Sequence, residues 1–145
     1  MKRADEGSGL LPWSWAEQRL ERARNYWLST TRPDGSPHAM PLWGIWLDGA
    51  VLFDTHPLSQ KVRNLEHDPR AVVHLEGGEE AVILEGTVEV HEDPEAGLLD
   101  RFVRAYKEKY DWESDGAFVF TPRIAYAWLN SDFAGSATRY AFEAQ

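Results

Sequence analysis

Three turn signals, Arg32-Pro33-Asp34-Gly35, Asp48-Gly49 and Gly77-Gly78, punctuate a series of short apolar segments and constrain the chain more than any other feature. Each joins stretches only long enough for strands, so consecutive strands run antiparallel as hairpins. Tyr26 to Thr31 is rich in β-formers and leads into the first turn. His38 to Leu47 follows as a second strand, where Pro41 removes a ladder donor and predicts an edge, a bulge or an exposed backbone patch able to face a ligand. Asp48-Gly49 leads into a third strand, Val51 to Thr55. Ala71 to Leu75 and Ala81 to Val90 flank Gly77-Gly78, and Gly86 inside the longer run marks a bulge or a close backbone approach. Ala117 to Thr121 and Ile124 to Leu129 read as strands interrupted by Pro122, and Thr138 to Phe142 as a last one.

Helical periodicity is confined to three places. Leu11 to Ala23 starts at Pro12 and sets Trp15, Leu20 and Ala23 on much of one face. Gln60 to Glu66 is a short helix that must stop before Asp68-Pro69, because a residue preceding proline avoids the helical region. Asp93-Pro94 opens a helix to Tyr110 whose apolar face is Leu98, Leu99, Phe102, Val103 and Tyr106. About six or seven antiparallel strands with these caps predict a mainly β domain, either a small barrel or a sandwich. At 145 residues the chain is read as one domain, 1–145, with 1–10 as a flexible start.

Bulk properties remove several function classes. A formal net charge of -9 and a pI near 5.0 argue against nucleic-acid and anionic-membrane partners, so any bound anion must be held locally. With no cysteine there is no disulfide, thiolate metal site or cysteine nucleophile. No apolar run reaches membrane-spanning length and the first nine residues lack a signal-peptide core, so a cytoplasmic location is expected. Seven tryptophans must pack in a core, line a pocket or lie in a subunit interface.

One segment carries chemistry. Thr55-His56-Pro57-Leu58-Ser59-Gln60-Lys61-Val62-Arg63-Asn64-Leu65 follows the apolar run Val51-Leu52-Phe53 and opens a helix with a hydroxyl and a lysine, the layout of a phosphate cradle. With Ser59 at the N-cap, the backbone N–H groups of Gln60, Lys61 and Val62 point outward beside the Lys61 ammonium, and the helix dipole adds positive potential. The same pattern also suits a capped surface helix with solvated cations. One hairpin away, Pro37-His38-Ala39-Met40-Pro41-Leu42-Trp43-Gly44-Ile45-Trp46 combines apolar bulk with a proline-freed backbone, which suits a flat aromatic ligand carrying a phosphate tail. Taken alone, Trp43 and Trp46 read more simply as core.

Other chemistry is poorly supported. There is no nucleophile elbow, Walker loop or dinucleotide glycine fingerprint. The five histidines, His38, His56, His67, His74 and His91, include no i, i+4 pair, so they are expected to pack or solvate, and no metal is predicted. Glu76, Glu79, Glu80, Glu85 and Glu89 form a charged run with no evident acid/base pair. Glu85, between Leu84 and Gly86, is either pocket-facing or turned outward by alternation.

The order Tyr26-Trp27-Leu28-Ser29-Thr30-Thr31-Arg32-Pro33-Asp34-Gly35-Ser36-Pro37-His38, Pro41-Leu42-Trp43, Ser59-Gln60-Lys61-Val62-Arg63-Asn64-Leu65, Asp68-Pro69-Arg70-Ala71-Val72-Val73 and Glu85-Gly86 resembles the flavin/deazaflavin oxidoreductase superfamily related to pyridoxamine 5'-phosphate oxidase. The tryptophan-rich version is most similar to its actinobacterial branch, which uses the deazaflavin coenzyme F-420 in place of FMN. The resemblance spans Arg24 to Val90 well and the tail loosely. It implies an FMN-binding-like split β-barrel, a homodimer with cofactor sites at the subunit interface, and an oxidoreductase that passes hydride to a small organic substrate. It also implies that Met40, Pro41, Leu42 and Trp43 lie along the ring system. Thr55, Ser59 and Lys61 would hold the phosphate, with Gln60 and Asn64 nearby, while Trp128 and Arg139 of the partner chain would close the site. No catalytic residue is implied, since the ring itself delivers hydride. A carrier or sensor that binds cofactor without turnover is the non-enzymatic alternative.

Three departures shape the expectation. True pyridoxamine 5'-phosphate oxidases end in an arginine- and histidine-bearing motif, and here the tail reads Ser136-Ala137-Thr138-Arg139-Tyr140-Ala141-Phe142, against vitamin B6 oxidation. Gln60 stands where the family's arginine precedes the lysine, and Ala81 where such oxidases carry a glutamine. Both thin the contacts to a flavin phosphate and favour F-420 over the alternative, FMN, or else a weak binder.

Overall fold

Tyr26, Leu28 and Thr30 are buried along β1 (Tyr26–Thr31) while Trp27, Ser29 and Thr31 are only half-buried, so the alternation written in the sequence becomes an inner and an outer face. The computed structural model describes residues 10–91 and 97–142; residues 1–9 of the polar start and the expected helix opening at Asp93-Pro94 lie outside them. Seven more strands follow: β2 (Pro37–Leu42), β3 (Ile45–Leu47), β4 (Ala50–Phe53), β5 (Arg70–His74), β6 (Glu80–His91), β7 (Ala117–Leu129) and β8 (Thr138–Ala141). All pair antiparallel in one sheet of order β2-β1-β5-β6-β7-β4-β3, with β8 also pairing with β7.

β2 and β3 occupy opposite edges of that order, yet only Trp43 and Gly44 separate them in sequence. The sheet must therefore curl until its edges meet, which makes it a half-barrel. Inside lie Tyr26, Leu28, Phe53, Leu84, Phe120 and Tyr140, each at 0–1% exposure and each contributing about 1.5–3 kcal/mol through burial. Helix α1 (Trp13–Arg22) adds Ala16 and Leu20 to this core. Helix α3 (Leu98–Tyr110) covers the opposite side of β3, β4 and β7, packing Phe102, Tyr106 and Tyr110 against Ile45, Leu52 and Val119. β4 is thus buried on both faces, Val51 and Phe53 toward the barrel and Ala50 and Leu52 toward α3.

Two sequence expectations are corrected. The strand expected over His38 to Leu47 breaks at Trp43-Gly44, because there the chain crosses from one sheet edge to the other. Gly44 passes so close to its neighbours that an added Cβ would lie 3.2 Å from the Leu52 carbonyl oxygen, Tyr26 and Val51. The end of α3 pins it: the Tyr110 hydroxyl accepts from the Gly44 N–H at 3.0 Å, and Lys109 Nζ donates to the Gly44 carbonyl at 3.1 Å. Pro122, in turn, does not interrupt a strand; β7 runs through it. Its register against β6 shifts at Glu85/Gly86, where Glu85 faces Ile124 and Gly86 faces Pro122, leaving Arg123 as the extra residue of a bulge. A proline is tolerated there, where the ladder is already interrupted.

Smaller differences follow from packing. α2 (Gln60–His67) runs one residue further than expected, and a short helix α4 (Phe133–Ser136), capped by the Asp132 carboxylate accepting from the Gly135 N–H, precedes β8. Asp48 (φ 53°) and Gly49 (φ 77°) form the expected tight hairpin. Among the described residues no helix is long and apolar enough to cross a membrane.

Candidate functional site

The turn before α2 is built by its own sequence. Pro57 pre-sets the bend, the Ser59 N–H donates to the His56 carbonyl at 3.0 Å, and the Leu58 N–H donates to His56 Nδ1 at 3.1 Å. Ser59 then stands at the N-cap with extended backbone (φ -69°, ψ 160°), but its side chain makes no capping bond. Its Oγ is buried with no hydrogen-bond partner. The N–H groups of Gln60, Lys61 and Val62 have no partner within the helix, as helix geometry requires.

Lys61 follows at 8% exposure, and burial pushes its ammonium below the usual lysine pKa. No salt bridge to it forms among the described residues. A second orphan lies across on β2: His38 Nδ1 is buried without a partner. His38 stands opposite Thr30 in the β1–β2 ladder, and cross-strand partners share a face, so it turns toward the side of the sheet on which α2 is anchored. Burial first, then the Arg32 and Lys61 cations, hold its imidazole below the ordinary histidine range.

Asn64 is the anchor. Fully buried, it donates from Nδ2 to Thr30 Oγ1 at 2.9 Å and accepts from Gln60 Nε2 at 2.7 Å. Arg63 extends the chain, donating to Gln60 Oε1 at 2.7 Å and to the Leu58 carbonyl at 2.6 Å. Asn64 thus fixes α2 against β1, and Gln60 spends its amide within the helix on Asn64 and Arg63. The hydroxyl and the cation that remain without partners are those of Ser59 and Lys61. Thr55 lies half-buried in the loop leading to them.

The ring-side residues divide. β2 pairs with β1 alone, so its outer edge carries backbone groups with no ladder partner. Met40 and Pro41 are exposed on it, and Leu42 turns into the core. Trp43 lies flat on Tyr110 (4.6 Å between centroids, 6° between planes), beneath the Arg24 guanidinium. Trp46 is core, its indole N–H donating to Glu17 at 3.1 Å. Trp128, edge-on to Phe133, and Arg139, exposed on β8, are separated from β2 by β1, β5 and β6. Within one chain the structure does not bring them to α2.

The sheet's outer face carries a shallow groove of about 580 Å³ floored by Ser29, Val72, Glu85, Gly86 and Ile124. Glu85 is exposed and lines it, the outward alternative of the two that alternation allows. His38 is the residue that sequence reasoning passed over; its signal was its register with Thr30, which no local pattern reveals.

The profile of the family described as pyridoxamine 5'-phosphate oxidase matches residues 15–129. The chain belongs to that family. Among solved structures, this family member is similar to a conserved hypothetical protein from Mycobacterium tuberculosis, with 26% identity, a TM-score of 0.72, and coverage of 88% of this chain and 90% of that one. It shares its fold with an F420 reductase (24% identity, TM-score 0.61, 84% of this chain and 98% of the other). A FAD-binding protein from Mesorhizobium loti has it too (21%, TM-score 0.66, 92% and 96%). Haem-binding proteins are also among the fold's neighbours. No curated protein matches the chain in sequence.

Proposed function

We propose that this family member is an oxidoreductase that binds coenzyme F-420 in a homodimer and passes hydride to a small organic substrate. The observation that carries the reading is the set of unsatisfied groups at the start of α2. A buried hydroxyl without a partner and a buried lysine without a carboxylate each cost free energy that a bound phosphate would recover. The residues therefore fit a phosphate-bearing cofactor: Ser59, Lys61 and the α2 N–H groups would hold the phosphate, with Thr55 beside them. The unpaired edge of β2 from Met40 to Leu42 would offer backbone donors and acceptors to a ring edge. When bound, the deazaflavin supplies the hydride chemistry, which leaves the chain the tasks of holding, orienting and excluding water.

The choice of F-420 over FMN is supported by Gln60. Where the family's arginine would reach a flavin phosphate, Gln60 is engaged with Asn64 and Arg63 instead. The fold shared with an F420 reductase agrees with it. A homodimer is supported by the outer face, where Trp27, Val72, Ile83, Ile124 and Tyr126 are only half-buried in one chain, and in such a dimer Trp128 and Arg139 of the second copy would close the site.

The test is a titration of the purified chain with F-420 and, separately, with FMN, followed by tryptophan and cofactor fluorescence. Tight binding of F-420 alone is expected, and tighter FMN binding would transfer the reading to a flavin. Lys61→Ala should weaken cofactor binding by about 1.5–3 kcal/mol, because it deletes a charge-assisted contact. Unchanged affinity in that variant would refute the site.

A further inference from the structure

Two histidines border the α2 corner: His56, whose Nδ1 accepts from the Leu58 N–H, and His38. His38 lies on β2, not on the helix, and its Nδ1 is buried without a partner. Its neighbour across the ladder is Thr30, whose hydroxyl accepts from Asn64 and makes no bond to the imidazole Nδ1. The charged groups acting on it are both cations: Arg32, from the turn between β1 and β2, and Lys61, from α2. Arg32 is itself fixed, donating to the Pro37 carbonyl at 2.7 Å and to Ser36 Oγ at 3.3 Å. In the free protein, then, His38 Nδ1 is unsatisfied, and burial and the field of two cations disfavour its charged form.

An anion between the strand and the helix reverses that balance. It neutralises the field of Lys61 and Arg32 and gives an imidazolium N–H an acceptor, so both reasons for the imidazole to stay neutral weaken together. We propose that His38 is a third arm of the anion site, taking up one proton from solvent and donating an N–H to the phosphate or sulfate group that settles beside Lys61 and Ser59. Anion binding is accordingly proton-linked, and tightens as pH falls through the histidine range. The inference rests on the α2 corner being an anion site, and is independent of which coenzyme carries the anion.

The probe is sulfate, which does not titrate in this range, with NMR of the His38 imidazole in the full chain. Saturating sulfate is expected to raise the His38 titration midpoint by about one unit or more. A His38 midpoint that does not move, or absence of any sulfate-dependent shift at the Lys61 amide, overturns the proposal. A second measurement uses His38→Gln, which keeps a donor but cannot charge. Between pH 8 and 6 the wild type should gain affinity for F-420 over the variant by up to about tenfold per pH unit; parallel profiles overturn the proposal. If sulfate moves His38 but neither F-420 nor FMN binds, the proton-linked site stands and the cofactor reading fails. If F-420 binds and His38 is unmoved, the reverse holds.

Discussion

Gly86→Ala should be the most damaging single-methyl change in the sheet. A Cβ built on Gly86 would lie 2.0 Å from the Thr121 carbonyl oxygen, 2.8 Å from the Thr121 carbonyl carbon and 2.9 Å from Pro122 Cα, all backbone atoms of the adjacent strand. No side-chain rotation relieves this. Restoring 3.0 Å to the oxygen requires β6 and β7 to part by at least 1.0 Å. At that separation the flanking ladder bonds pass the useful range. Losing two or three of them at about 0.5–1.5 kcal/mol each, with some added overpacking, gives about 3 kcal/mol. The assay is urea unfolding followed by tryptophan fluorescence. With a slope of about 2 kcal/mol/M the midpoint falls by about 1.5 M. Gly78→Ala is the control: no atom lies within 4 Å of its added Cβ, so the same substitution should change stability by less than about 1 kcal/mol. A loss below about 1 kcal/mol in Gly86→Ala, with an unchanged slope, would refute the close-approach argument.

Three further outcomes are expected. Asn64→Ala should cost about 2–3 kcal/mol in the same urea assay and speed amide exchange across α2, because it leaves the buried Thr30 hydroxyl unpaired and frees the helix from β1; a change in cofactor affinity at full stability would contradict its anchoring role. Tyr110→Phe should cost about 1–2 kcal/mol, since the Gly44 N–H loses its acceptor in a buried setting; a neutral result would mean that water replaces the hydroxyl. Burial first and Arg24 second hold Lys109 down to about 8, below its unfolded value. The unfolded chain therefore binds the extra proton between about pH 8 and the ordinary lysine range, so stability should rise with pH across that window and the rise should vanish in Lys109→Met. Parallel pH profiles of the two proteins would show that the group is not responsible.

Much of this was legible because it is local. Turn residues at Asp48-Gly49 and alternation along Tyr26 to Thr31 act within a few residues, so hairpins and faces could be read without knowing the rest of the chain. Ser59 and Lys61 at a strand-to-helix corner were legible for the same reason. The misreadings all came from partners distant in sequence. Pro122 looked like an interruption because its missing donor is a local fact, whereas the bulge that accommodates it is set by Gly86 on another strand. Trp43-Gly44 looked like mid-strand, because nothing local says that α3 will pin Gly44. His38 looked like any scattered histidine until the β1–β2 register placed it opposite Thr30. The resemblance puts Gln60 and Asn64 near the phosphate, and only the tertiary fold shows their amides bonded to each other and to β1.

The two-residue crossing at Trp43-Gly44 has a mechanical consequence. Among the described residues no backbone ladder joins β2 to β3, so the barrel is shut along that seam by covalent chain and by the grip of Tyr110 and Lys109 on one glycine. Widening the slit breaks no strand pairing. At Trp43-Gly44 itself the two-residue link keeps the edges tied whether or not α3 releases Gly44, so any opening must grow away from the crossing, with the pairing of β1, β5, β6, β7 and β4 intact.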